Sequence, residues 1–228
     1  MNTRVGLIVP SSNTVMEVDL YRRLPAGSTL HTGRMHLEET TPEAEAVMLD
    51  EQLSVTIRDL ATARPDVMVF GCTSAGALRG NAYEADLIRR IASETGAETF
   101  SVAASVRRAI ASRNVMRVGV ITPYVEGLND KIRESLAEDG LEVVDIRGLG
   151  ITENFAIASV EPERIARFAS ETFGDGGGID LLFASCTNFR ALDARERIEH
   201  DLGVPVVTSN SALLEAVLDR LGAPAGTR

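Results

Sequence analysis

The only two cysteines of this 228-residue chain, Cys72 and Cys186, stand at matching places in two similar segments. The segments read DVMVFGCTSAG over residues 66–76 and DLLFASCTNFR over residues 180–190. Each contains an acidic residue, a short apolar run and then Cys-Thr. Short apolar runs bounded by turn residues indicate buried strands, and the chemistry of open α/β sheets collects where such strands end. The sequence therefore predicts one thiol at the end of each of two related strands.

Two thiols that face each other across a cleft suit proton transfer and addition chemistry on a small carbon acid. One thiol acts as a base or nucleophile on one face of the substrate, and the other donates or accepts a proton on the opposite face. Hydroxyls, amides and backbone N–H groups near strand ends would stabilise the developing negative charge. Such groups occur at predicted strand ends or in loops: Asn13, Thr14, Thr73, Ser74, Tyr124, Asn154, Thr187 and Asn188. A buried structural role for each thiol and a disulfide between them are the alternatives.

The elements that would position these residues come from an internal repeat. RVGLIVP at residues 4–10 recurs as RVGVITP at residues 117–123, at nearly the separation of the two cysteines. Two landmarks with nearly one offset indicate a duplication of roughly 110 residues.

Predicted strands and helices alternate along both halves, which favours parallel sheets. The expected fold class is α/β, with two pseudo-symmetric lobes, each a parallel sheet flanked by helices, and the active site in the cleft between them. Residues 1–105 with 206–228 are predicted to form the N-terminal lobe with Cys72, and residues 106–205 the C-terminal lobe with Cys186. One helix is predicted from Thr41 to about Ala63, and a loop over residues 152–158.

The composition and motifs of the chain argue against several classes of binding partner. The net charge of −10 and the pI near 4.9 argue against a nucleic-acid surface and an anionic membrane face. No apolar run approaches the length of a membrane span, and no signal peptide begins the chain. Two cysteines without a secretory signal indicate reduced thiols and a cytoplasmic location. Dinucleotide and phosphate-loop motifs are absent and the three histidines share no ligand spacing, so neither cofactor nor metal is expected.

At several of these motifs the chain resembles the aspartate/glutamate racemase superfamily and, within it, the maleate cis-trans isomerases. The resemblance spans essentially the whole chain. The motifs that carry it are PSSNT at residues 10–14, Cys72-Thr-Ser, Pro123-Tyr124, Glu153-Asn154 and the run from Ser185 through Cys and Thr to Asn188.

The resemblance implies a cofactor-independent reaction. Cys72 would attack the double bond of maleate as a thiolate and give a covalent succinyl-type adduct, while Cys186 would serve as proton donor and acceptor at the neighbouring carbon. Rotation about the new single bond and elimination would give fumarate. The substrate-binding residues implied are Asn13, Thr73, Ser74, Tyr124, Asn154 and Thr187. A small dicarboxylate is the expected partner, and a homodimer or higher homo-oligomer the expected assembly.

Other activities remain open at this stage. The run from Cys72 to Gly76 lacks the Gly-then-polar ending associated with the isomerases. Arylmalonate decarboxylases share the fold but work with only the second-lobe cysteine, so Cys72 disfavours them. Amino-acid and hydantoin racemases also use two cysteines, and the set Asn13, Tyr124 and Asn154 favours the isomerase over them. A non-catalytic binding protein would tolerate the loss of both thiols.

Overall fold

The computed structural model describes residues 3–176 and 178–223, which alternate between strands and helices. The strands of the first half are β1 (Arg4–Pro10), β2 (Thr29–Met35), β3 (Val67–Phe70) and β4 (Glu98–Ser101). Those of the second half are β5 (Arg117–Thr122), β6 (Glu142–Gly148), β7 (Leu181–Ala184) and β8 (Val206–Thr208). The helices are α1 (Met16–Arg23), α2 (Pro42–Glu51), α3 (Leu53–Ala61), α4 (Thr73–Ala77), α5 (Asn81–Thr95), α6 (Val102–Ala111), α7 (Glu126–Glu138), α8 (Asn154–Ala158), α9 (Pro162–Phe173), α10 (Ala191–Leu202) and α11 (Ser209–Leu221).

Each half forms its own four-stranded parallel sheet, and the two sheets have equivalent strand orders. The first is β2-β1-β3-β4 and the second is β6-β5-β7-β8. The predicted α/β fold with two pseudo-symmetric lobes is confirmed. In both sheets the second strand of the half lies on one side of the first strand, and the third strand lies on the other side. The strand order therefore reverses between the first and third strands of the half. Ligands of open α/β sheets bind beside the carboxyl ends of the strands at such a switch point.

The acidic residue that precedes each cysteine strand fixes the register of that strand. Asp66 Oδ2 accepts a hydrogen bond from the backbone N–H of Arg4 at 2.8 Å. Asp180 Oδ2 accepts one from the N–H of Arg117, also at 2.8 Å. These backbone hydrogen bonds hold the pKa of both carboxyls below the usual range. The repeated acid therefore aligns β3 with β1 and β7 with β5.

Two local predictions are wrong. The helix expected from Thr41 to about Ala63 is divided into α2 and α3 at Gln52, whose φ of −104° departs from the helical value near −63°. Residues 152–158, expected as a loop, contain the short helix α8. The N–H of Asn154 at the start of α8 donates to the Glu38 carbonyl at 2.9 Å, so a long-range contact fixes where this helix begins.

The second sheet continues past residue 205, because β8 pairs with β7. Helix α11, which follows β8, packs against α6 and α1 and so joins the two halves. The assignment of residues 206–228 to the first lobe otherwise remains a prediction, and residues 224–228 lie outside the described residues. Within the described ranges, no helix combines the length and apolar content that crossing a membrane requires.

Candidate active site

The switch point of each sheet carries one predicted site residue after its first strand and one cysteine after its third. Asn13 follows β1 and Cys72 follows β3, while Tyr124 follows β5 and Cys186 follows β7. All four side chains are almost fully buried, with at most 6% exposed. The two carboxyl edges face each other, so the four side chains line one cavity between the lobes.

Cys72 directly precedes α4 and has an ordinary extended conformation, with φ −137° and ψ 118°. Its Sγ lies 3.9 Å from Ser74 Oγ and accepts a hydrogen bond from the backbone N–H of Ala75. Burial raises the pKa of the Cys72 thiol well above its usual value, and the nearby Glu45 carboxyl raises it further. The N–H of Ala75 acts in the opposite direction by stabilising the thiolate. Neutralising Glu45 would therefore make the reactive thiolate of Cys72 easier to form.

Cys186 occupies a strained turn with φ +102°, a backbone conformation that L-residues rarely adopt. Its N–H donates to Ser209 Oγ at 3.0 Å. Its Sγ accepts hydrogen bonds from the Asn188 N–H at 3.3 Å, from the Tyr124 hydroxyl and from the Phe189 N–H. Burial raises the pKa of this thiol to about 11, and these donors limit the rise. The turn thus aims donors of the second lobe at the sulfur.

The threonine after each cysteine ties its strand end to a residue that directly follows a strand of the other sheet. The Thr73 hydroxyl donates to Ser209 Oγ at 2.9 Å, on the same oxygen that receives the N–H of Cys186. The Thr187 hydroxyl donates to the Gly71 carbonyl at 3.1 Å. A hydroxyl has one proton to donate, and both threonines donate theirs to groups of the protein. The donors that these two residues can offer to the negative charge on a substrate are therefore their backbone N–H groups.

Asn13 both caps a helix and lines the cavity. Its Oδ1 accepts from the N–H groups of Val15 and Met16, at 3.1 and 3.0 Å, where α1 begins. Its Nδ2 donates to Thr187 Oγ1 at 2.9 Å. A primary amide has two N–H donors, so this arrangement uses one of them and fixes the direction of the other.

Asn154 is held where the two lobes meet. Its Nδ2 donates to Ser12 Oγ at 2.7 Å, and its carbonyl accepts from Asn188 Nδ2 at 2.7 Å. Asn188 Oδ1 in turn accepts from the N–H of Thr14 at 2.9 Å. Asn188 therefore links the turn after β1, the start of α8 and the turn of Cys186.

The cavity is narrow and lies between the carboxyl edges of the two sheets. It brings together all eight predicted site residues: Asn13, Cys72, Thr73, Ser74, Tyr124, Asn154, Cys186 and Thr187. The remaining lining residues are Pro10, Leu37, Thr40, Glu45 and Asn188. Both cysteines are free thiols. None of these lining residues is Lys, Arg or His, so an anion would be held by neutral donors.

Sequence reasoning missed Thr40 and Glu45 as site residues. Glu45 lies in the first turn of α2, where an acid is commonly read as favouring the helix start. Helical spacing could have predicted that Glu45 is buried, because it shares its helix face with Met48 and Leu49, which are also buried. Among the described residues, no three His, Cys, Asp or Glu side chains are grouped as metal ligands.

Comparison with known proteins shows that the chain is similar in sequence to a family of enzymes. Residues 5–227 match the family model Amdase, described as arylmalonate decarboxylase. The maleate isomerase of Pseudomonas putida strain KT2440 is 29% identical, with 96% of this chain and 91% of that protein covered.

Two solved structures are similar in sequence as well as in fold. The maleate isomerase Iso of Pseudomonas putida S16, in a variant with maleate, has a TM-score of 0.89 and 28% identity, covering 97% of this chain and 93% of that one. A cysteine-to-serine variant of the Nocardia farcinica maleate cis-trans isomerase, with a covalently bound succinylcysteine intermediate, has a TM-score of 0.88 and 26% identity. The alignment with it covers 97% of this chain and 94% of that one. The resemblance to maleate isomerases is thereby confirmed.

Proposed function

The chain belongs to the Amdase family, described as arylmalonate decarboxylase, and within it we propose that this protein is a cofactor-independent cis-trans isomerase that converts maleate, or a closely related small dicarboxylate, to the trans isomer. The observation that carries the proposal is the pair of free thiols. Cys72 and Cys186 come from opposite lobes and line one small cavity. The isomerases to which the chain is similar include one recorded with a succinylcysteine intermediate.

The first half of the reaction forms a carbon–sulfur bond. The Cys72 thiol gives up its proton to solvent, and the thiolate attacks one olefinic carbon of maleate. The π electrons move onto the neighbouring carbon and its carboxylate, and that carbon takes the proton of the Cys186 thiol. The product is a succinyl group on Cys72 with a thiolate at Cys186.

The second half reverses the bond changes after rotation. The former double bond is now single, so the two carboxylate-bearing carbons can turn relative to each other. The Cys186 thiolate removes the proton from its carbon, the carbon–sulfur bond breaks, and the electrons of the C–H bond form the trans double bond. The Cys72 thiolate and the Cys186 thiol are regenerated, so no net redox change occurs.

Neutral donors would hold the substrate carboxylates and the charge that develops on them. The free N–H of Asn13, the Asn154 amide and the backbone N–H groups around Thr73 and Thr187 lie on the cavity wall. Tyr124 serves Cys186 directly, because its hydroxyl donates to that sulfur and stabilises the thiolate formed in the middle of the reaction. Preorganised donors of this kind stabilise the transition state without reorganising.

Decarboxylation of an arylmalonate is the second candidate, because the matching family model is described by that activity. In that reaction the carbanion formed by loss of CO₂ would take a proton from Cys186 alone. Cys72 would be dispensable, so C72A would retain decarboxylation and lose isomerisation. The presence of a thiol at residue 72 makes this the weaker candidate.

Proton NMR of the reaction mixture tests the function. Purified protein with both thiols reduced should convert maleate to fumarate, the C72A variant should not, and the C186A variant should do so far more slowly. Absence of fumarate with the reduced wild-type protein would reject maleate as the substrate, and release of CO₂ from a phenylmalonate would then support the decarboxylase. We also propose a cytoplasmic homodimer, to be tested by sedimentation of the purified protein.

A further inference from the structure

Two buried polar atoms beside the thiols have no hydrogen-bond partner among the described residues. They are Thr40 Oγ1 and Glu45 Oε2, and both residues line the cavity. Thr40 is 3% exposed and Glu45 is fully buried. Leaving a buried polar group without a partner is unfavourable, so such atoms are normally satisfied by a ligand or by water. Neither residue has a part in the proposed chemistry.

The other carboxyl oxygen of Glu45 is already occupied. Ser74 donates its hydroxyl proton to Glu45 Oε1. This bond fixes the carboxyl plane and leaves Oε2 as the oxygen available to a ligand. Helix α2 places Glu45 in the first lobe, on the same wall as Cys72.

The electrostatics of the cavity favour the neutral form of this carboxyl. Burial raises the pKa of Glu45 to about 8, and the hydrogen bond from Ser74 only partly offsets the rise. No Lys, Arg or His lines the cavity to compensate a second negative charge. A dianionic ligand would oppose ionisation further, since like charges in a shared site raise a carboxyl pKa.

We propose that Thr40 and Glu45 form a subsite for one carboxylate of the substrate, in which Glu45 acts as a neutral carboxylic acid and donates Oε2–H to the ligand. This inference rests on the proposed function in so far as the ligand is a small dicarboxylate. Thr40 donates its hydroxyl to the same carboxylate. A carboxyl group kept neutral by an apolar site serves elsewhere as a hydrogen-bond donor to a developing anion.

The subsite predicts how binding depends on pH. The other titratable groups that face Glu45 are Cys72, Cys186 and Tyr124, whose ionisations are coupled to its charge. The pKa of Cys186 is raised to about 11, and those of Cys72 and Tyr124 are raised well above their usual values. Between pH 7 and pH 9, Glu45 is therefore the group that changes charge. Ligand affinity should fall as pH rises through this interval, by about tenfold from pH 7 to pH 9.

Succinate is a suitable probe because it has two carboxylates and no double bond for Cys72 to attack. Its binding is measured by titration calorimetry between pH 7 and pH 9, in buffers of different ionisation enthalpy, to count protons taken up. Wild-type protein should bind succinate more weakly at higher pH and should take up close to one proton per ligand near pH 9. The Glu45→Gln variant keeps the donor as an amide, so its affinity should be close to wild type at pH 7 and independent of pH to pH 9.

Glu43→Gln is the matched control, since Glu43 is an exposed acid on the same helix, and it should behave as wild type. Glu45→Leu removes the donor and should weaken binding about tenfold or more at pH 7. Equal affinity for wild type and Glu45→Leu, or wild-type binding without proton uptake at pH 9, would overturn the subsite. The proton count on wild-type protein decides the question even if a variant fails to fold.

The outcome separates this inference from the proposed function. Maleate turnover whose kcat/KM rises with pH through 8, with the rise lost in Glu45→Gln, would make Glu45 the base that deprotonates Cys72 through Ser74 and would overturn the donor role alone. Proton-linked succinate binding without maleate turnover would reject maleate isomerisation while supporting the subsite.

Discussion

The ends of β3 and β7 begin from matching sequences and provide different surroundings for their sulfurs. Cys72 lies in relaxed backbone beside a carboxyl and a hydroxyl, and its sulfur receives one backbone N–H. Cys186 lies in a strained turn, and its sulfur receives a phenol and two backbone N–H groups. Duplication supplied two thiols at equivalent places, while Glu45 and Tyr124, which lie outside the repeated segments, give each thiol a different neighbour.

The different surroundings of the two sulfurs match the different roles proposed for the two thiols. Cys186 has donors that stabilise its thiolate for the period in which it holds no proton, as a proton donor and acceptor needs. Cys72 has fewer donors, and its thiolate is used up in forming a bond to carbon. Glu45 adds to the asymmetry, because its carboxyl ranks second only to burial among the influences on the pKa of the Cys72 thiol, and below the Tyr124 and Asn188 donors for that of the Cys186 thiol.

Loss of the nucleophile should have the largest effect. Cys72→Ala should reduce isomerisation on the order of 10⁴-fold or more, because no covalent adduct can form. Fumarate formation is followed by proton NMR, and circular dichroism checks that the variant is folded. Residual turnover within tenfold of wild type would remove the distinction between the two thiols.

Loss of the proton donor should have a smaller effect and a different signature. Cys186→Ala should slow turnover by about 10²–10⁴-fold, the usual range for one acid–base group. In this variant solvent would supply the proton that completes the adduct, and the adduct on Cys72 should accumulate because no positioned base removes that proton for elimination. Intact-protein mass spectrometry detects it, and a variant that turns over slowly without any adduct would contradict this division of roles.

Tyr124→Phe isolates one donor of the Cys186 site. A hydrogen bond to a charged group contributes about 1.5–3 kcal/mol, so turnover should fall by roughly 10–100-fold and the pKa of the Cys186 thiol should rise. The pH dependence of Cys186 alkylation in a Cys72→Ala background reports that rise. An unchanged alkylation profile would mean that the phenol does not stabilise the thiolate.

The cross-lobe threonines test whether the two strand ends support each other. Thr73→Val removes the donor to Ser209, and Thr187→Val removes the donor to Gly71. Each should lower the free energy of unfolding by about 1–3 kcal/mol, because a buried partner loses its hydrogen bond. Urea denaturation measures the loss, and a Thr73→Val variant as stable as wild type would show that the strained turn needs no support from the first lobe.

Stability should also depend on pH through Glu45. Its pKa is raised from 4.5 to about 8 by burial, so the folded state holds a proton that the unfolded state releases above pH 4.5. The free energy of unfolding should therefore fall as pH rises from about 5 to 8. Glu45→Gln should flatten this dependence in thermal scans, while Glu43→Gln should retain it.

Sequence patterns were sufficient for the repeat, the parallel sheets and the positions of both cysteines, because apolar runs that end in turn residues are local signals. They could not reveal the +102° φ of Cys186, since no residue type in Ser185-Cys-Thr marks a left-handed backbone. The partners of Thr73 and Thr187 were also hidden, because Ser209 and Gly71 lie far away in the chain. The role of Glu45 could not be predicted for a related reason, since it depends on Ser74, a neighbour that belongs to another helix.

The central claim is that Cys72 bonds to the substrate while Cys186 moves the proton. Peptide mapping by mass spectrometry of the Cys186→Ala variant after exposure to maleate tests it most directly. The account predicts a mass increase equal to one maleic acid on the peptide that contains Cys72, and no increase in a Cys72→Ala variant with Cys186 intact. An adduct on Cys186, or no adduct in a variant that still makes fumarate, would contradict it.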